Sequence, residues 1–215
     1  MIEKLTRLLK RWLPLPVYPY KSYMIRKQCI FIHIPKNAGT SVLKAFGYRG
    51  YRLHAKWFDY NESNPYLFER YHKFAIVRAP LARLYSAYNY VIKGGNQSEG
   101  DRALQQQVLS NARTFTEFVD KILTPEFVLF QPLFQPQSYY IFDSQYQCKV
   151  DTILRYESLN HDWRKLCILK GWTIELPWLN KGASTLPEAL SPQQLEKIQC
   201  LYKVDYELLG YRFNE

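Results

Sequence analysis

The stretch from Cys29 to Gly47 constrains the fold more than any other. It reads CIFIHI, then PKNAGTS, then VLKAFG. A short β-rich run (29–34) with no charged residue is the pattern of a buried strand. The helical pattern after it closes at Gly47, a residue suited to a helix C-terminus. Strand, tight loop and helix in that order belong to an α/β fold. The loop also directs backbone N–H groups and a positive helix end at one point, which makes it a seat for phosphate or sulfate. Gly39 permits close backbone approach, Thr40 and Ser41 add hydroxyl donors, and Lys36 adds a mobile cation. The nucleotide-triphosphate loop GxxxxGK[ST] does not match: no Lys follows Gly39 and no Gly lies five residues before it.

The same grammar recurs. KFAIVR (73–78) reads as a second buried strand, and PLARLYSAYNYVI (80–92) as a helix with Pro80 in its first turn. TILRY (152–156) is a third strand, followed by a helix from about Ser158 to Lys170. YRLH (51–54) suits a further short strand. Residues 57–73 read as helical or irregular. Thr114 with Glu117 offers a capping box to TEFVDKIL, Ser191 caps a last helix with Pro192 behind it, and GGNQSEG (94–100) is the flexible loop. Strands alternating with helices predict a P-loop-like parallel sheet flanked by helices, in a single domain over 29–215. In such sheets ligands gather at the carboxyl ends of the strands. Arg78, at a strand end, and Ser86, eight residues on in the helix, are therefore expected on the edge that carries the 36–41 loop. A guanidinium and a hydroxyl there suit a phosphate.

The charge agrees with an anionic ligand: 29 Lys and Arg against 19 Asp and Glu give +10, with a pI near 9.3. There is no block of five like charges, so no nucleic-acid-binding tail and no nucleic-acid partner are expected. Cys29, Cys148, Cys167 and Cys200 form no CxxC pair, which argues against a zinc ribbon; they read as buried, reduced thiols of a cytoplasmic protein. No metal-ligand cluster stands out. Residues 1–28 read as an amphipathic helix, MIEKLTRLLKRWL, followed by a connector made extended by Pro14, Pro16 and Pro19. That helix would pack on the domain or a partner, or touch an anionic membrane through residues 1–13. Charge interrupts its apolar positions, so it is not read as a signal peptide.

PKNAGTS after an apolar strand resembles the 5′-phosphosulfate loop of sulfotransferases that use 3′-phosphoadenosine-5′-phosphosulfate (PAPS). IVRAPLARLYSAY resembles the VRxPxxRxxSxY element of the carbohydrate-type members. LFQPQSYYIF (133–142), VDTILRYESL (150–159), PWLNKGAS (177–184) and LYKVDYELLGY (201–211) resemble further segments of that family, in order. The resemblance implies that Lys36, Asn37, Ala38, Gly39, Thr40 and Ser41 hold the 5′-phosphosulfate, and that Arg78 and Ser86 hold the 3′-phosphate. Lys181 and Gly182 would close over the nucleotide, and Arg83 would be a structural or secondary cation. Ala79 stands where many relatives have Asn, which removes one polar contact. The implied reaction moves a sulfuryl group from PAPS to a hydroxyl, releasing adenosine 3′,5′-bisphosphate, with no metal required and a glycan favoured as acceptor.

Lys36 is placed to stabilise the leaving oxygen. The acceptor hydroxyl needs a base, and His54, after YRL, is the candidate; Glu62 and Asp59 are the alternatives. His33 would support the loop, His72 and His161 would be exposed, and Glu157 would sit behind the site. Trp57, Tyr60, Tyr88, Tyr90, Tyr139 and Tyr140 are candidates for stacking on sugar rings. A P-loop kinase-like enzyme and a catalytically silent nucleotide-binding module stay open as alternatives.

Overall fold

A computed structural model describes residues 14–177 and 189–213. They fall into two compact units, each drawn from separate stretches of chain. One holds the residues up to Val77 and those from Tyr139 to 177; the other holds Arg78–Ser138 and the residues from 189 on. The chain passes from one to the other repeatedly, so no linker marks a boundary in the sequence.

The first unit is built on a three-stranded parallel sheet in the order β1 (Cys29–Ile32), β2 (His72–Val77), β3 (Thr152–Arg155). Cys29 pairs with His72 and Ile32 with Ala75; Phe74 pairs with Thr152 and Val77 with Arg155. All four β1 residues and all but the first of β2 are buried, which is why β1 and the Phe74–Val77 part of β2 read as apolar runs. Three helices cover the crossover from β1 to β2: α2 (Gly39–Ala45), α3 (Trp57–Ser63) and α4 (Pro65–Arg70). The residues at 51–54 form no strand; their carbonyls and amides have no neighbouring strand to pair with, and only Leu53 of the four is not exposed. Before β1 lies α1 (Ser22–Lys27), inside the stretch expected to be extended. The last of the three prolines is Pro19, so nothing prevents a helix beyond it, and Tyr23 and Met24 bury themselves from its face. The amphipathic segment 1–13 lies outside the described residues.

Aromatic rings fill the interior of this unit. Phe31 stacks on Phe74 at 5.0 Å, and Phe46 meets Trp172 edge-on at 5.3 Å and Trp163 at 5.8 Å. Trp163 belongs to α10 (Leu159–Lys170), which follows β3. At the amino end of the sheet, Lys73 is buried against Asp151 at 3.0 Å and donates to the Tyr71 carbonyl. His72, half-buried rather than exposed, bonds to Thr152.

The second unit is helical. It opens with α5 (Pro80–Ile92), whose bounds match the sequence pattern. α6 (Glu99–Leu109) starts inside the stretch expected to be a loop: Ser98 accepts from the Asp101 amide, and the Asp101 carboxylate holds Asn96 N–H and Ser98 Oγ. α7 (Phe115–Lys121), capped by Thr114, and α8 (Pro125–Phe130) follow. The short α9 (Ser138–Ile141) straddles the point where the chain re-enters the first unit. α11 (Pro192–Leu201), capped by Ser191, and α12 (Lys203–Leu209) complete the described chain. Phe118 packs on Tyr88 at 5.2 Å and Phe134 at 5.4 Å, and Tyr202 Oη donates to the Phe134 carbonyl at 2.8 Å. Of the cysteines, Cys29 and Cys167 are buried but Cys148 and Cys200 are exposed; all four are free. Burial pushes the Cys29 thiol up to about 12, so it is inert. Among the described residues no helix is long and apolar enough to cross a membrane.

Candidate active site

The loop between β1 and α2 is held in an unusual backbone shape. Lys36 and Ala38 both lie in the left-handed region, at φ 70° and 57°. Neither is glycine, so the surrounding bonds must over-determine the conformation. One of those bonds is from Asn37, 1% exposed, which donates through Nδ2 to the Ile76 carbonyl of β2 at 2.8 Å. Alternation of left-handed with ordinary residues turns successive N–H groups toward one side, a concavity suited to an anion.

Gly39, by contrast, has an ordinary φ. Its lack of a side chain serves a neighbour instead: a Cβ there would fall on the His33 imidazole. His33 is 6% exposed, stacked on Phe31 at 5.4 Å and 4.3 Å from the His54 ring. Burial first, then the nearby His54 and Arg52, hold its pKa well below the usual histidine value, so it is neutral. It supports the loop, as the sequence suggests, by filling the space against the Gly39 backbone.

His54 belongs to the same cluster. Its Nδ1 lies 2.8 Å from the His33 carbonyl oxygen. A carbonyl can only accept, so Nδ1 carries the proton and Nε2 is the basic nitrogen of the neutral ring. The residue is exposed. Of the alternatives, Asp59 is engaged as an N-terminal cap, accepting from the Lys56 amide at 2.7 Å. Glu62 is exposed on α3 and Glu157 is exposed beyond β3.

A cationic and aromatic surface follows His54 along the chain. The Lys56 ammonium stands 5.6 Å from the Tyr140 ring centre, 5.9 Å from Tyr139 and 6.0 Å from Phe58. Lys149 lies over Trp57 at 5.5 Å, and Trp57 Nε1 donates to the Phe142 carbonyl. Tyr139 and Phe58 are exposed, at 44% and 39%. Tyr60, Tyr88 and Tyr140 are instead buried to 4% or less, so they form core and cannot stack on a ligand. The contacts of Lys56, Phe58 and Lys149 were not legible in the sequence, because cation–ring contacts carry no sequence spacing.

In the second unit, Arg78 is 4% exposed and its backbone is clamped by one side chain. Gln137 Oε1 accepts from Arg78 N–H at 2.9 Å, and Gln137 Nε2 donates to the Arg78 carbonyl at 2.8 Å. Gln137 and Ser138 in turn donate their own N–H groups to the two oxygens of Asp205, each at 2.8 Å. Asp205 is fully buried. Burial raises its pKa, while the Arg83 charge and those N–H bonds oppose the rise. Arg83, 1% exposed, donates to the carbonyls of Leu133 and Gln135, which makes it structural. Ser86 is half-buried in the middle of α5. Lys181 and Gly182 lie outside the described residues.

A family model described as the sulfotransferase family matches residues 25–212, and the chain belongs to that family. No curated protein and no solved structure matches it. The protein is therefore a sulfotransferase, and dependence on PAPS follows from the family. The residues present fit that donor: one loop offers a lysine, two hydroxyls and the first N–H groups of a helix start, all complementary to a sulfated phosphate. Among the described residues no group of three His, Cys, Asp or Glu side chains is placed to hold a metal.

Proposed function

We propose that the chain transfers the sulfuryl group of PAPS to a hydroxyl of a carbohydrate or polysaccharide, with His54 as base and Lys36 at the leaving oxygen. The observation that carries this reading is the bond between His54 Nδ1 and the His33 carbonyl, on the residue that opens the 33–41 loop. It sets the tautomer and ties the base to the anion-binding loop within one unit.

PAPS, when bound, supplies an activated sulfuryl group whose leaving oxygen gains charge in an in-line displacement. Lys36 stabilises that charge, and the N–H groups at Ala38 to Thr40, with the Thr40 and Ser41 hydroxyls, serve the sulfuryl and phosphate oxygens. Asn37 contributes through its backbone, since its amide anchors the loop to β2. His54 Nε2 takes the proton of the acceptor hydroxyl as the oxygen attacks. The left-handed residues 36 and 38 keep the loop in shape before binding, so little reorganisation accompanies the reaction. Arg78 and Ser86 are assigned to the 3′-phosphate, and Lys181 and Gly182 to closing over the nucleotide.

Two features support a saccharide acceptor, and an anionic one in particular. Trp57, Phe58 and Tyr139 offer flat surface at the chain positions after His54 or packed beside them, and Lys56 stands among the rings. The net charge of +10 acts in the same direction. Cytoplasmic placement, with membrane contact through residues 1–13, is part of the same proposal.

The test is transfer from labelled PAPS to a panel of acidic polysaccharides, neutral polysaccharides and simple phenols. Label on acidic glycans, reduced by Lys56→Ala, is the expected result. Label on phenols alone would overturn the carbohydrate reading.

A further inference from the structure

Gln137 and Asp205 stand out as fully buried polar side chains that the reaction does not use. Both are 0% exposed. Together they make four bonds of 2.8–2.9 Å. Two of those bonds hold the main chain of one residue, Arg78, and the other two seat Gln137 and Ser138 on Asp205.

Sheet pairing explains why Arg78 needs such a partner. The register of β2 with β3 ends at Val77 and Arg155. Arg78 is the next residue, and α5 does not begin until Pro80. Its N–H and C=O therefore have no strand neighbour, although the residue is 96% buried by its 4% exposure. The Gln137 amide replaces that neighbour: its oxygen takes the N–H and its nitrogen supplies the C=O, as an adjacent strand would. A two-point clamp of this kind fixes φ and ψ, and so fixes the direction in which the Arg78 side chain leaves the backbone. Asp205 holds the clamp in place by accepting from the N–H of both Gln137 and Ser138. Arg83 holds the stretch before it, through Leu133 and Gln135.

We infer that Gln137, seated by Asp205, is a positioning residue that aims the Arg78 guanidinium at the 3′-phosphate of the donor. The inference rests on the assignment of Arg78 to that phosphate, made above. It gives a task to two segments, 133–142 and 201–211, for which the sequence offered only resemblance.

The experiment compares binding of adenosine 3′,5′-bisphosphate with binding of adenosine 5′-phosphate by calorimetry, using the full chain. The ratio of the two dissociation constants isolates the 3′-phosphate. Arg78→Ala is expected to shrink that ratio by about tenfold or more, the worth of one hydrogen bond to a charged group. Gln137→Met, which keeps the volume and removes both clamp bonds, is expected to shrink it by a similar factor while changing the adenosine 5′-phosphate constant less than about twofold. The double variant is expected to lose little more than either single one, since both act through one guanidinium.

If Gln137→Met does not fold, Asp205→Asn carries the same comparison, with a smaller shift in the same direction. Equal weakening of both ligands, or full additivity in the double variant, would show Gln137 to be structural only. An unchanged ratio in Arg78→Ala would instead refute the assignment of Arg78, and the two failures are thereby told apart.

Discussion

Replacing Gly39 by Ala puts one methyl where the His33 imidazole already is. The added Cβ would overlap three ring atoms of His33. The ring has nowhere to go: it is 6% exposed, with Phe31 stacked on one side and His54 4.3 Å away. Overpacking a filled interior in this way costs about 1–3 kcal/mol. For a chain of this size each kcal/mol lowers Tm by roughly 2–4 °C, so a fall of about 2–12 °C is expected by calorimetry. Because the His33 carbonyl holds His54, displacement of His33 should also lower sulfuryl transfer. The double variant Gly39→Ala/His33→Ala separates the causes: with the ring gone the methyl has room, so the stability losses should fall well short of additive. A Gly39→Ala protein as stable as the wild type would refute the reasoning, and would return Gly39 to a role in backbone approach alone.

Three further outcomes follow from the same contacts. Asn37→Ala leaves the Ile76 carbonyl buried without its Nδ2 donor, and should cost about 1–3 kcal/mol in urea unfolding, with a rise in KM for PAPS as the loop loosens. Arg83→Met removes the bonds to Leu133 and Gln135 and the cation facing buried Asp205, and should cost about 3–5 kcal/mol; an intact Tm would show that the guanidinium is dispensable. His33 and His72 both have pKa values lowered by burial from 6.5, so below that pH the unfolded chain takes up protons that the folded one refuses. Stability should therefore fall as pH drops below about 6.5, and His33→Gln should flatten part of that dependence in urea titrations at pH 5 to 7.5.

Much of the fold was legible because burial on both faces leaves an unambiguous trace. β1 appears as an uncharged run and β2 as the apolar stretch Phe74–Val77 between Lys73 and Arg78, and α5 begins and ends where Pro80 and the apolar period set it. The strand expected at 51–54 failed because a four-residue pattern says nothing of whether a partner strand exists. α1 and α6 were missed for the converse reason: each is anchored by tertiary burial or a local cap rather than by a long period. The loop at 36–41 was recognised by its residues, but the left-handed positions fell on Lys36 and Ala38, and the reason for Gly39 is a ring six residues earlier. The Gln137 clamp could not be read at all, since a side chain that imitates a strand depends on three separated segments meeting.

The most direct test of the proposed chemistry is the turnover of His54→Ala at saturating PAPS, with adenosine 3′,5′-bisphosphate affinity measured alongside. Loss of a general base is expected to lower kcat by about 10²–10⁴-fold while leaving the nucleotide constant within about twofold of wild type. Undiminished turnover with intact nucleotide binding would contradict the assignment of His54 and, with it, the reaction centre drawn around the 33–41 loop.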